Sequence, residues 1–223
     1  MSLRIEPPRS EAELMERARA LTGRTLGAIA AELRTVLPHD PVHAKGKQGE
    51  LLERALGATG GSRAEHDFPE LAVELKSIPT DEKGSPREST YVCKIQLDDA
   101  DSVEWEDSWT RKKLSRVLFV PVITPQDSAM LDRAVGTPVL FVPTAEEERV
   151  LRADYEDAMG LVALGRVEEL TAHTGTWLQV RPKAKDGSAR TLTFGPEREA
   201  ILAMPRGFYL RPSFTAKILR EPR

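Results

Sequence analysis

The hydrophobic residues change their period near residue 70, and this change limits the folds that are open to the chain. Before it, apolar residues recur at helical spacing, which predicts three helices that follow Ser10, follow Thr25 and run from about Lys47 to Leu56. After it, short alternating or apolar runs predict strands at 71–76, 90–97, 117–123, 139–142, 177–181 and 191–194. Capping signals predict further helices after Thr144 and after Pro212. The chain therefore mixes helices with short strands.

Length and composition are those of an ordinary globular protein. The 223 residues suffice for one large domain or two small lobes, with 40% hydrophobic and 30% charged residues. No apolar run approaches the roughly 18–20 residues that span a bilayer, and the N-terminus has no apolar signal segment. Cys93 is the single cysteine, so no intramolecular disulfide can form. We expect a cytoplasmic protein that does not enter a membrane.

The charge distribution is uneven. The net charge of −3 argues against a nucleic-acid binder, but residues 176–223 carry 10 Lys and Arg against 4 Asp and Glu, a net of +6, and the remainder carries −9. A second basic cluster, Arg111 to Arg116, lies within the acidic part. DNA phosphates bind to local patches of positive charge, although such clusters are also typical of a simple solvated face.

The polar residues of the first predicted strand are the strongest candidates for chemistry. Residues two apart in a strand share a face, so Glu74 and Lys76 project together. Asp67 precedes them across Phe68-Pro69-Glu70, and a tight turn there would return its carboxylate to the same edge. Two carboxylates and one ammonium group would then converge.

This set suits the hydrolysis of a phosphodiester bond. Carboxylate oxygens are the ligands that Mg²⁺ prefers, the ion activates a bound water, and a lysine offsets the developing charge. Glu53, one helix upstream, is a candidate for a further ligand. The alternative is an exposed polar strand face whose ion pair contributes only about 0.2–1 kcal/mol, and the pattern alone favours that alternative.

Segments along most of the chain resemble the MutH family of mismatch-repair endonucleases. They are Leu51–Ala58, Gly61-Ser62, Asp67-Phe68, Val73–Lys76, Trp105-Glu106, Arg111, Lys113-Leu114, Arg116–Leu118, Arg181–Lys183, Pro205–Leu210 and Phe214-Thr215. The resemblance implies an α/β, restriction-endonuclease-like mixed sheet flanked by helices, with two arms that form a DNA-binding cleft. It also implies magnesium-dependent cutting at unmethylated or hemimethylated GATC, 5′ to the G, activated by MutL after MutS finds a mismatch. Mn²⁺ is an expected substitute for Mg²⁺.

The resemblance also assigns residues. It places Asp67, Glu74 and Lys76 at the catalytic centre, with Glu53 and Lys113 beside them and the backbone carbonyl of Leu75 as a further metal ligand. The positions that it assigns to DNA are Lys45, Glu88, Tyr91, Arg181, Pro182, Lys183 and Tyr209. The stretch after Lys45 departs from the family pattern, which carries a tryptophan there, and the segment after Lys183 is shorter, so the base contacts of these loops are open.

The chain as a whole is then expected to be a monomeric nicking endonuclease, because one active site cuts one strand. Residues 1–105 would be roughly the catalytic arm, and residues 106–223 roughly the DNA-reading arm with the shared core. Two rival functions stay open: a type II restriction endonuclease for GATC on the same fold, and a DNA-binding module without catalysis. An enzyme that acts on RNA is a third.

Overall fold

The computed structural model describes residues 3–37, 46–61, 65–98, 104–184 and 187–221. The helices are α1 (Glu11–Ala20), α2 (Leu26–Glu32), α3 (Lys47–Leu56), α4 (Trp109–Leu114), α5 (Ala145–Ala163) and α6 (Pro212–Arg220). The strands are β1 (Glu74–Thr80), β2 (Thr90–Lys94), β3 (Val117–Ile123), β4 (Ala134–Val135), β5 (Val139–Phe141), β6 (Leu178–Pro182), β7 (Thr191–Phe194), β8 (Ala200–Ala203) and β9 (Arg206–Leu210).

The predicted capping residues begin the helices as expected. The hydroxyls of Ser10 and Thr25 each accept a hydrogen bond from a backbone N–H of the first turn, in α1 and α2 respectively. Thr144 and Glu147 form a complete capping box at the start of α5. Helix α3 ends before Gly57, whose φ of 79° is left-handed, as is typical of a glycine that stops a helix.

The chain divides into two compact units. The first comprises Met1–Glu88, Arg116–Val142 and Ala216–Arg223, and the second comprises Ser89–Ser115 and Pro143–Thr215. The approximate division into arms at residue 105 concerns the arrangement around DNA and remains a prediction.

The first unit contains a mixed sheet. Strand β1 pairs in parallel with β3 from Glu74 opposite Val117 to Thr80 opposite Ile123. Strands β4 and β5 pair antiparallel with β3, so β3 is central. One sheet face buries Leu75, Leu118 and Val120 against apolar residues of α1, α2 and α3. This core holds β1, and therefore the candidate catalytic residues, in place.

The start of β1 differs from the predicted strand at 71–76. Pro69–Leu71 form a 3₁₀ turn, and Ala72 has a φ of 51°, in the left-handed region. Phe68 and Val73 exchange backbone hydrogen bonds around this turn, and the ladder with β3 begins only at Glu74. The prediction of a continuous strand from the alternation of Leu71, Val73 and Leu75 was therefore wrong, because the turn includes Leu71 and the strand begins at Glu74.

The second unit contains a three-stranded antiparallel sheet in the order β2-β9-β6 and a separate β7-β8 hairpin. Tyr155 of α5 packs its ring 5.4 Å from that of Phe208 on β9. Asp154 of the same helix is buried and accepts hydrogen bonds from the N–H groups of Thr176, Trp177 and Leu178, which sets the start of β6. The strand at 177–181 was predicted, whereas β8 and β9 were not.

The expected fold class is confirmed, since mixed β-structure is flanked by helices. None of the described helices is both long and apolar enough to cross a bilayer.

Candidate active site

A tight turn brings the Asp67 side chain to the edge of β1. The Asp67 carbonyl accepts hydrogen bonds from the N–H groups of Thr59 and Gly60, at 2.9 and 3.1 Å, which fixes its backbone. Its carboxylate oxygen Oδ2 accepts the N–H of Leu75 at 2.8 Å, eight residues later. The turn that the sequence predicted is therefore present, and it places Asp67 beside β1.

Glu74 and Lys76 form a close ion pair on β1. Lys76 Nζ lies 2.6 Å from Glu74 Oε1, as expected for residues two apart in a strand. The side chain of Glu74 is only 1% exposed and that of Lys76 is 21% exposed. The alternative of a solvated strand face is therefore wrong for Glu74. Burying a carboxylate carries a desolvation cost of several kcal/mol. The fold alone does not require this cost, which favours a functional role for Glu74.

Glu53 adds a third carboxylate from helix α3. Burial, reinforced by the negative charge of Asp67, raises the pKa of Glu53 to about 7, and the positive charge of Lys76 only partly offsets this. The charges of Glu50 and Glu74 raise the same pKa further. Carboxylates from a helix, a turn and a strand thus repel one another in one place, which favours the binding of a cation.

The donor set fits a hard divalent cation. Among the described strands, β1 pairs only with β3. The N–H of Glu74 points to the β3 side and donates a hydrogen bond to Arg116 O. The N–H and carbonyl of Leu75 therefore point to the opposite edge, where the N–H already meets Asp67. Across the described ranges, no group of three His, Cys, Asp or Glu side chains is placed to hold a metal alone. Two carboxylates, one carbonyl and water match the oxygen ligands of Mg²⁺.

A second set of predicted residues meets on one face of the β2-β9-β6 sheet. Tyr91 lies opposite Tyr209, and their rings are 5.2 Å apart, edge to face. Lys183 Nζ lies 3.9 Å from the centre of the Tyr91 ring, and the Arg181 guanidinium lies 5.9 Å from that of Tyr209. Both are cation–π contacts. Burial raises the pKa of Tyr91 to about 12, so this phenol stays a hydrogen-bond donor.

Three residues that sequence reasoning missed support this face. The Ser89 hydroxyl accepts hydrogen bonds from Gln179 Nε2 at 2.7 Å and from Arg181 Nη1 at 3.2 Å. Gln179 is buried and lies opposite Tyr209. A Cβ on Gly207 would lie 3.1 Å from Tyr91 Cε2, so the glycine lets the ring approach the backbone closely. Of the three, only the glycine beside two aromatic residues could have signalled such a close approach.

The other predicted residues are placed as follows. Lys113 lies on α4 of the second unit, 5.2 Å from the Trp109 ring. Pro182 ends β6 and is exposed, and Glu88 is exposed just before β2. Lys45 lies outside the described residues. The structure thus brings Glu53, Asp67, Glu74 and Lys76 together in the first unit, and Tyr91, Arg181, Lys183 and Tyr209 together in the second.

Comparison with known proteins gives one consistent result. Residues 56–154 match the family model described as "DNA mismatch repair enzyme MutH". A "DNA mismatch repair protein MutH" of Serratia proteamaculans is 46% identical over 213 residues, covering 96% of this chain and 93% of the relative. The protein of that name from Shewanella sp. (strain ANA-3) is 46% identical, covering 97% of this chain and 97% of its own length. The one from Escherichia coli (strain K12 / DH10B) is 45% identical, covering 96% of this chain and 94% of its own length.

Proposed function

The chain belongs to the MutH family of DNA mismatch repair endonucleases, and from this premise we propose that it nicks the unmethylated strand at GATC in a magnesium-dependent reaction. The substrate would be hemimethylated or unmethylated duplex DNA, and the nick would lie 5′ to the G. MutL would activate the enzyme after MutS recognises a mismatch. The observation that carries the proposal is the buried Glu74, paired with Lys76, and Asp67 turned back against Leu75. Chromosomal DNA as substrate would place the protein in the cytoplasm.

The chemistry is assigned to the first unit. Asp67, Glu74 and the carbonyl of Leu75 would hold Mg²⁺, with Mn²⁺ as a substitute. The bound ion would lower the pKa of a water and neutralise charge on the scissile phosphate. Lys76, anchored by Glu74, would orient the attacking water and offset the negative charge of the transition state.

Glu53 would act beside these residues. With a pKa of about 7, its carboxyl group is shared between the protonated and ionised forms near neutral pH. The ionised form can accept a hydrogen bond from the attacking water, and the protonated form reduces the repulsion among the three carboxylates. Lys113 is proposed as a further lysine that acts near the phosphate.

Sequence reading is assigned to the β2-β9-β6 sheet. Arginine and lysine reach O6 and N7 of guanine in the major groove, which suits Arg181 and Lys183. Tyr209, held edge to face by Tyr91, is proposed to lie near the adenine whose methylation is tested. Pro182, Glu88 and Lys45 are proposed as further contacts. A monomer with one catalytic centre would cut one strand, as repair requires.

A plasmid-nicking assay separates this enzyme from a DNA-binding module without catalysis. We expect Mg²⁺-dependent nicking by the unmodified protein and its loss in Glu74→Ala or with EDTA. Glu70→Ala is the matched control, since Glu70 is an exposed acid in the adjoining turn. Binding of GATC duplexes without any nicking in Mg²⁺ would support the binding module instead.

The restriction-enzyme alternative predicts a different product. A restriction enzyme would cut both strands rapidly without MutL, whereas a repair endonuclease would nick one strand and respond to MutL. Assays on fully methylated, hemimethylated and unmethylated GATC duplexes, with and without MutL, distinguish the two. An RNA duplex of the same sequence serves as the competitor that tests the third alternative.

A further inference from the structure

An irregularity in strand β2 changes which side chains share a face with Tyr91. In a regular antiparallel pair that starts from Tyr91 opposite Tyr209, the next residues on that face would be Cys93 and Gly207. Instead Cys93 lies opposite Phe208, and the register shifts by one residue between Tyr91 and Cys93. This is a β-bulge, in which two residues of one strand oppose one residue of the other.

The bulge moves Lys94 to the face of Tyr91. Lys94 lies opposite Gly207, two residues from Tyr209 on the central strand, so Lys94 follows the Tyr91–Tyr209 side of the sheet. Without the bulge it would lie opposite Arg206, on the buried face that carries Phe208. The observed exposures agree, because Cys93 is 5% exposed and Lys94 is exposed.

Gly207 lies between Lys94 and Arg181, one of the residues assigned to DNA reading. Arg181 lies opposite Gly207 on the other neighbouring strand, so Lys94, Gly207 and Arg181 form a row across the three strands. Strand spacing places the two outer Cα atoms roughly 10 Å apart. The missing side chain of Gly207 leaves room for its neighbours, since Cys93 O, Tyr91 Cε2 and Lys183 Cβ lie 3.1, 3.1 and 3.4 Å from an ideal Cβ at this position. Lys183 thus lies against the Tyr91 ring, and Lys94 and Arg181 flank Gly207 on the same face.

We propose that Lys94 is a further DNA-binding residue, which contacts a phosphate of the duplex next to the bases read by Arg181 and Lys183. The inference rests on the proposed function, since it adds a contact to the same DNA face. A phosphate is the expected partner because phosphate and sugar take the larger share of protein–DNA hydrogen bonds, and a lysine ammonium is a compact point charge that meets a phosphate without a fixed orientation. The bulge is the device that directs this charge towards DNA.

The test is the salt dependence of DNA binding by the full-length chain. Affinity for a hemimethylated GATC duplex and for a duplex without GATC is measured by fluorescence anisotropy in EDTA, between 50 and 200 mM salt. Each phosphate contact contributes about 0.9 to the slope of log K against log salt concentration. Lys94→Ala should lower that slope by about 0.9, so that affinity falls about 3.5-fold less over this range. Both duplexes should be affected equally, and Lys94→Arg should keep the slope of the unmodified protein.

Two further variants make the outcome decisive. Arg149→Ala removes a cation that is 75% exposed on α5 of the same unit and should leave the slope unchanged. Lys183→Ala should weaken binding to the GATC duplex more than binding to the other duplex. An unchanged slope in Lys94→Ala, with the Lys183→Ala effect present, overturns the role of Lys94 and leaves the proposed function standing. Absence of DNA binding by the unmodified protein overturns the proposed function itself.

Discussion

Replacing Glu53 by glutamine should stabilise the protein, and more so at high pH. The pKa of Glu53 is raised from 4.5 to about 7 by burial and by the charge of Asp67. A carboxyl group whose pKa is higher in the folded state favours folding while it is protonated. That contribution is lost as the pH rises from about 4.5 through about 7, and the loss is complete above it. Glutamine cannot ionise, so Glu53→Gln removes the loss.

The size of the effect follows from the shift. A shift of this size would correspond to about 3 kcal/mol for a fully buried group, and the partial exposure of Glu53 reduces the expected value to about 1–2 kcal/mol. The assay is urea unfolding at pH 5 and pH 8.5 in EDTA. Glu53→Gln should gain about 1–2 kcal/mol relative to the unmodified protein at pH 8.5 and little at pH 5.

The matched control lies on the same helix. Glu50→Gln changes a side chain that is 56% exposed and paired with Lys47. Its charge is a lesser cause of the raised pKa of Glu53 than burial or Asp67, so this variant should show a much smaller gain with pH. An equal response of the two variants, or a loss of stability in Glu53→Gln at pH 8.5, would refute the reasoning that the three carboxylates repel one another. Saturating Mg²⁺ should stabilise the unmodified protein more than Glu53→Gln, because a bound cation removes the same repulsion.

Three further predictions concern residues with defined contacts. Asp154→Asn weakens three hydrogen bonds to the start of β6 and should cost about 2–4 kcal/mol in urea unfolding, against little change for the exposed Asp157→Asn. Lys76→Met should reduce nicking by about 100-fold or more while binding of the GATC duplex in EDTA persists, and comparable activity would exclude Lys76 from the reaction. Gly207→Ala would place a Cβ 3.1 Å from Tyr91 Cε2 and 3.1 Å from Cys93 O, so it should displace the ring and weaken binding to GATC selectively.

Much of the secondary structure could be predicted because local signals determine it. Strand β3 is an uninterrupted apolar run with the predicted bounds. Helix α5 begins at a capping box that the spacing of Thr144 and Glu147 predicts. The turn after Asp67 was predicted, but its 3₁₀ extension through Leu71 was not, since Leu71, Val73 and Leu75 alternate with less apolar residues as in a strand. Its left-handed Ala72 follows from the Phe68–Val73 pairing, which is a tertiary constraint.

In the candidate site, too, features set by local sequence could be predicted, whereas those set by tertiary contacts could not. The spacing of Glu74 and Lys76 was enough to predict a shared face, but it could not predict that the carboxylate of Glu74 is buried. Burial depends on what packs over the strand, and this is not encoded locally. Likewise the alternation of β2 places Lys94 away from Tyr91, and only the pairing with β9 reveals the bulge that reverses it.

The most direct test of the account is to map the cut on a hemimethylated GATC oligonucleotide duplex with Mg²⁺ and MutL. The account predicts a single nick 5′ to the G of the unmethylated strand, accelerated by MutL, absent in EDTA and absent from the fully methylated duplex. Cleavage of both strands, cleavage away from GATC or an intact duplex would contradict it.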